Sequence, residues 1–300
     1  MPELYPLTLP HGITLSCRAA GQKGQPVMVF LHGFPEGAFV WDGLLEHIAK
    51  LGYRCIAPNL RGFEKSSAPA DVAQYRPKHL VQDIAALIAI ESPGQPLACL
   101  AAHDWGGAVA WNLANQLPQL MQRLCIINSP HPGTFLRELR DSPAQQAASA
   151  YMNFLIRPDA EALLAQDDYR RLWEFFTKMF ADGGPQTWLT DAVKDQYRAV
   201  WNHGLTGGCN YYRASPIRPP TASDPGAAAI TLPREMLTVT VPTQVIWGMQ
   251  DVALPPALLD GLDDYVAQLQ VHRVADATHW IIHEQPALVA QVLEQFLLQK

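Results

Sequence analysis

Apolar residues along this chain fall into short, nearly unbroken runs separated by longer stretches of helical period. Ile13 to Ala19, Val27 to Leu31 and Arg54 to Pro58 read as strands, and Trp41 to Leu51 and Pro77 to Ile90 as helices. Leu97 to Ala102 and Leu124 to Ile127 continue the series, too uniformly apolar for strands with one wet face. Strands buried on both faces and alternating with helices predict an α/β architecture with a mostly parallel central sheet flanked by helices.

The alternation stops after Gly133. The next hundred or so residues carry helical or irregular patterning, as in Ala147 to Ile156, Asp168 to Phe180 and Trp188 to Trp201, and then a connector rich in Pro, Ala, Thr and Ser from Pro216 to Pro233. Strand-like runs resume at Thr243 to Trp247 and Gln270 to Val274, and a last helix is expected from Pro286 to the C-terminus. The expected organisation is a core made of residues 1–132 and 236–300, with residues 133–235 inserted as a helical cap.

Composition narrows the choice of function. A chain of 300 residues, 48% hydrophobic and 17% charged, suffices for one large core with a lid and not for two enzymes. Its formal charge of -6 is spread without acidic or basic blocks, which argues against nucleic acid or an anionic membrane surface and suits a small neutral ligand. No apolar run reaches a membrane span, and Met1 to Gly12 lacks a basic segment followed by an apolar one, so a soluble, cytoplasmic protein is expected. Cys17, Cys55, Cys99, Cys125 and Cys209 form no CxxC pair and read as reduced, buried thiols; no metal or cofactor is called for.

The candidate chemistry starts where the run from Leu97 ends in Ala102-His103-Asp104-Trp105-Gly106-Gly107 and passes directly into a helical pattern. Small residues two before and two after a reactive side chain are what a tight strand-to-helix turn requires, and here Asp104 stands where serine is usual. A serine attacking an alkyl carbon would leave an inert ether, whereas a carboxylate leaves an ester that water can cleave. The residue type therefore points to an sp3 electrophile with a leaving group, an epoxide or an alkyl halide. Taken alone, Asp104 reads equally well as a helix cap.

The rest of the constellation shifts that balance. Asp251 follows the strand ending in Trp247-Gly248, and His279 follows the next strand, giving the order nucleophile, acid, histidine. His279 would activate a water, and Asp251 would hold its tautomer. Leu31-His32-Gly33-Phe34-Pro35-Glu36 also follows a strand, and the backbone amides of Phe34 and Trp105 would form an oxyanion hole. His32 and His103 are expected to position loops, and His283 to stand at the start of a helix, with a role assisting His279 as the alternative.

In His32-Gly33-Phe34-Pro35-Glu36, His103-Asp104-Trp105-Gly106-Gly107, Asn128-Ser129-Pro130-His131-Pro132 and Thr278-His279-Trp280 the chain resembles the epoxide hydrolases of the α/β-hydrolase superfamily over nearly its whole length. The resemblance implies an α/β-hydrolase fold, a small hydrophobic epoxide and water as reactants, and two cap tyrosines donating to the epoxide oxygen. Tyr151, seven residues before Pro158, and Tyr212, preceding Arg213, match those tyrosines, with Tyr211 as the fallback and, like Phe34 and Trp105, a substrate-contacting residue. Thr278 stands where glycine is common before the histidine. A monomer or homodimer is expected. The alternative is a haloalkane dehalogenase with the same Asp104 and His279, although Phe34 and the two tyrosines disfavour it; a non-catalytic ligand-binding member of the fold is a further alternative.

Overall fold

The computed structural model describes residues 1–178 and 186–299. Among the described residues eight strands form one sheet: β1 (Glu3–Thr8), β2 (Thr14–Ala20), β3 (Val27–Leu31), β4 (Arg54–Pro58), β5 (Cys99–His103), β6 (Leu124–Ile127), β7 (Thr243–Gly248) and β8 (Leu269–Val274). They lie in the order β1-β2-β4-β3-β5-β6-β7-β8. The two pairings of β2 are antiparallel and all others are parallel.

The uninterrupted apolar runs hide a period of two. In β3, Met28 and Phe30 pack with Leu45 and Ile48 of α1 (Asp42–Ala49), while Val27, Val29 and Leu31 join the opposite core with residues of α2 (Pro77–Glu91) and α3 (Trp105–Gln116). Every residue of β3 to β7 is buried, as helices on both faces require. β1 was not expected from the sequence. It is an edge strand with partly exposed alternate positions and a proline, Pro6, tolerated because only one of its sides is paired.

Between β6 and β7 run α4 (Pro132–Asp141), α5 (Pro143–Ala148), α6 (Ala150–Leu155), α7 (Ala160–Thr177), α8 (Asp191–Trp201) and α9 (Thr206–Ala214); after β8 come α10 (Ile281–Glu284) and α11 (Pro286–Leu298). The helical or irregular pattern over Ala147 to Ile156 falls on the end of α5 and on α6, parted at Ser149. Ser142 accepts a hydrogen bond from the Gln145 amide at 3.3 Å, and Pro143 sets the first turn, so α5 starts earlier than the apolar pattern does. The helix expected from Asp168 begins at Ala160 and breaks at Asp167, Asp168 and Tyr169, whose φ values are 53°, 50° and 60°. Met179 and Phe180 at its expected end lie outside the described residues. No helix among the described residues is long and apolar enough to cross a membrane.

One close approach sets the place of α9. A Cβ added to Gly207 would overlap the backbone of Gly62, and one added to Gly62 would come within 2.7 Å of the Gly207 Cα. The helix therefore rests on the turn after β4 main chain against main chain. Arg61 in that turn forms a buried bidentate pair with Asp83 of α2, at 2.7 and 2.6 Å. At the other end of α9, Arg213 pairs with Glu161 of α7.

Candidate active site

The site is built at the C-terminal ends of β3, β5, β6, β7 and β8, each followed by one of its elements. Asp104 caps β5 at φ 49°, a left-handed conformation unusual for a residue with a side chain. Room for that turn comes from its neighbours. A Cβ on Gly106 would overlap the Leu31 carbonyl, one on Gly107 would overlap Ser129, and one on Gly33 would overlap the Asp104 side chain itself. Ser129 Oγ donates to the Asp104 carbonyl oxygen at 2.6 Å, pinning the turn from the end of β6.

The Phe34 amide donates to Asp104 Oδ1 at 2.8 Å, and His279 Nε2 stands 3.7 Å from Asp104 Oδ2. His279 Nδ1 lies 2.7 Å from Asp251 Oδ2. Asp251 is buried, yet its carboxylate is fully served: the Ala253 and Leu254 amides donate to Oδ1 at 2.9 and 2.8 Å, and Asn128 Nδ2 donates to Oδ2 at 2.7 Å. Burial opposes a charge on His279, but the Asp251 carboxylate and its hydrogen bond, with further help from Asp104, outweigh it and raise its pKa to about 9. Both Asp104 oxygens thus face donors, one a fixed amide and the other a cationic ring in the resting state.

A cavity of about 110 Å³ opens above Asp104. Asp104, Trp105, Tyr151 and Tyr212 line it, and its remaining wall is largely apolar, including Phe135, Met152, Ile217 and Leu254. The Tyr212 ring meets Trp105 at 5.1 Å and Phe34 at 5.4 Å, both edge to face, and stands 6.1 Å from the Tyr151 ring. Burial, then the negative charges of Asp104 and Asp251, raises the Tyr151 pKa. Burial likewise dominates at Tyr212, followed by Tyr151 and Asp104, against a hydrogen bond from Trp105. Both phenols are held as proton carriers.

Tyr211 is not brought to this cavity. Its hydroxyl donates to the Arg61 carbonyl at 3.1 Å and its ring packs against Phe63 and Tyr75. Successive residues of a helix point about a hundred degrees apart, so only one of the neighbouring tyrosines can face Asp104, and the docking of α9 on Gly62 selects Tyr212.

Residues 26–286 match the family described as alpha/beta hydrolase fold. The chain belongs to the α/β-hydrolase family. Within it the hydrolase is of the epoxide-hydrolase type. It is 33% identical over 290 residues to AB hydrolase superfamily protein YfhM of Bacillus subtilis, covering 96% of this chain and 95% of that one. It is 30% identical over 294 residues to Epoxide hydrolase 4 of Mus musculus, covering 96% of this chain and 77% of that one. An epoxide hydrolase of Bacillus megaterium solved with an inhibitor superposes with a TM-score of 0.88 at 30% identity, covering 98% of this chain and all (100%) of that one.

Several groups of the hydrolase's site escaped the sequence reading. Asn128, at φ 37°, donates to Asp251 and accepts from the Gly248 amide at 2.8 Å, so one amide side chain ties the ends of β6 and β7 together. Its signal was there, an asparagine directly after an apolar strand. Glu36 is a buried hub: Tyr197 of α8 donates to Oε1 at 2.8 Å, His283 Nε2 meets Oε1 at 2.7 Å, and His103 Nδ1 meets Oε2 at 3.1 Å. His103 Nε2 in turn meets the His279 carbonyl at 2.9 Å. Burial alone would raise the Glu36 carboxyl, and the hydrogen bonds from His103 and His283 overcome it, holding it below its ordinary range. His283 lies within α10 and is part of this hub rather than only a residue at a helix start. Among the described residues no group of three or more His, Cys, Asp or Glu side chains is arranged to hold a metal.

Proposed function

We propose that the chain hydrolyses epoxides to vicinal diols through a hydroxyalkyl ester on Asp104. One observation carries this reading: Asp104 and two phenols, the partly buried Tyr151 and the buried Tyr212, line the same small, mostly apolar cavity. A carboxylate supplies the nucleophile for an epoxide carbon, and the two hydroxyls hydrogen-bond the ring oxygen as the C–O bond breaks, one of them giving it the single proton it needs. Water deprotonated by His279 then attacks the ester carbonyl. Asp251 holds the imidazolium that results, and the amides of Phe34 and Trp105 receive the oxyanion. Collapse breaks the acyl C–O bond, restores the Asp104 carboxylate, and returns the two water protons to the departing diol oxygen and to the phenol that gave up its own. The Phe34 amide already holds Asp104 Oδ1 at 2.8 Å. In this reading residues 133–235 act as a cap over the core of residues 1–132 and 236–300. Five unpaired, buried cysteines fit a reducing compartment such as the cytoplasm.

Displacement of halide would use the same Asp104 and His279 but needs N–H donors where the phenols stand, and no observation favours it over epoxide opening. Incubating the protein with parallel sets of epoxides and haloalkanes decides between them: diol from the first set is expected, and halide release without diol would overturn the reading.

The two steps should respond differently to pH. His279 acts on the ester only as the neutral base, and its resting pKa is about 9. Esterification removes the Asp104 charge, one of the influences that raise it, so the histidine of the alkylated protein loses its proton at lower pH. Ester hydrolysis is therefore expected to accelerate as pH rises and to level off below the resting value, whereas ring opening does not share that rise. Single-turnover decay of the ester across pH checks this. A rate that falls as pH rises through neutrality would count against His279 as the base.

A further inference from the structure

A second, more open pocket of about 300 Å³ lies beside the first. Among the described residues Tyr151 is the one residue that lines both. The short segment after Asp251 also divides them, with Ala253 facing the outer pocket and Leu254 the inner cavity, and the amides of both are the donors that hold Asp251. A molecule reacting at Asp104 beside Tyr151 is thus next to two compartments of different character.

The inner compartment is small and mostly apolar; the outer one carries charge. Arg171, Glu174 and Lys178 line it together with the ring of Phe154. Glu174 is already engaged, with Lys178 at 2.9 Å and Arg170 at 3.6 Å. Among the described residues no carboxylate lies within salt-bridge distance of Arg171, and its buried Nε has no hydrogen-bond partner. The guanidinium is instead held 5.8 Å over the face of Phe154. No acceptor among the described residues neutralises the guanidinium, and its planar fork matches a carboxylate with two parallel hydrogen bonds. The three charges lining the pocket sum to one positive.

We infer that the preferred substrates are epoxides with a short apolar arm for the inner cavity and a longer arm ending in a carboxylate, which passes Tyr151 and pairs with Arg171 in the outer pocket. This rests on the epoxide-opening reading of Asp104 and names the substrate class that the site takes. Arg171 contributes binding and no chemistry, so its effect falls on KM rather than on kcat.

The test compares a disubstituted epoxide bearing such a carboxylate with its methyl ester, beside a simple uncharged epoxide as control, for the natural chain and for Arg171→Gln and Arg171→Lys. The acid is expected to have a KM roughly tenfold below that of the ester, about the effect of one well-formed charge pair at a partly exposed site. The gap should shrink at high salt. In Arg171→Gln it should close, with the KM for the acid rising far more than that for the ester, and Arg171→Lys should keep part of it. Equal KM values for acid and ester in the natural chain, or an equal rise for both in Arg171→Gln, would overturn the inference while leaving epoxide hydrolysis in place. Diol from the simple epoxide but none from the acid would do the same. No diol from any of the three would overturn the reading beneath it.

Discussion

Replacing His279 with glutamine is expected to convert the protein from a catalyst into a trap, with one epoxide bound per chain as an ester of Asp104. Ring opening needs the Asp104 carboxylate and the two phenols, all of which remain, so the first step survives. Release needs a base, and glutamine offers none. Loss of a positioned general base lowers the rate by about 10² to 10⁴, enough for the ester to outlast a mass measurement. The intact protein should gain the mass of the whole epoxide, because no atom leaves when the ring opens, and the added mass should sit on the peptide containing Asp104. Asp104→Ala should show neither adduct nor diol. An adduct on another peptide, or none with an epoxide that the natural chain consumes, would sink the covalent mechanism.

The second large effect is expected from Tyr151→Phe combined with Tyr212→Phe. Both tyrosines line the cavity above Asp104, and burial raises both pKa values, so each keeps its proton across the working range. Removing one donor to a developing oxyanion costs roughly 10² to 10³ in rate, and the remaining phenol can take over part of the task. Each single variant should therefore slow ring opening less than that range suggests, and the double variant should fall well beyond the sum of the single effects on a logarithmic scale. The rate of ester formation in a single turnover is the measurement that isolates this step. Because the substitutions remove only two oxygens from rings held by Trp105, Phe34 and Phe175, the fold should be kept. Ring opening at the natural rate in the double variant would refute the donor roles.

Much of the architecture was legible because burial on both faces leaves a strong mark: β3 and β6 are uninterrupted apolar runs, and β4, β5 and β7 depart from that only at their ends, at Arg54, His103, Thr243 and Gln244. β1 lacks that mark. Half of it faces solvent and Pro6 weakens its pattern, so its pairing with β2 depends on register rather than composition. The break in α7 was hidden for another reason. Gln166-Asp167-Asp168-Tyr169 contains no glycine to announce left-handed backbone, and the Trp173 indole donating to the Asp168 carbonyl at 2.7 Å is known only once the chain has folded.

At the site, Asp104, Asp251 and His279 each follow a strand and could be singled out as candidates from chain order, whereas Tyr151 and Tyr212, in helices, rested on the family resemblance. Asn128 apart, the residues that surround those candidates could not be singled out. Glu36, His103, Tyr197 and His283 come from four separate segments, and nothing in their own surroundings in the chain marks a carboxylate that needs three partners. Tyr211 and Tyr212 show the limit most simply. Adjacent and chemically identical, they differ only in which way the helix is turned, and that is decided by the contact between Gly207 and Gly62.

That contact also separates two properties that would otherwise change together. Because α9 is seated main chain on main chain, the position of its backbone over the core is set by the contact between Gly207 and Gly62 and not by side-chain size alone. Phe135, Met152 and Ile217 belong to other segments. The shape of the chamber can thus drift, in natural descent or under deliberate redesign, while the helix that carries Tyr212 keeps its seat. Room for change resides in those walls, and the constraint resides in two glycines that do not line the cavity.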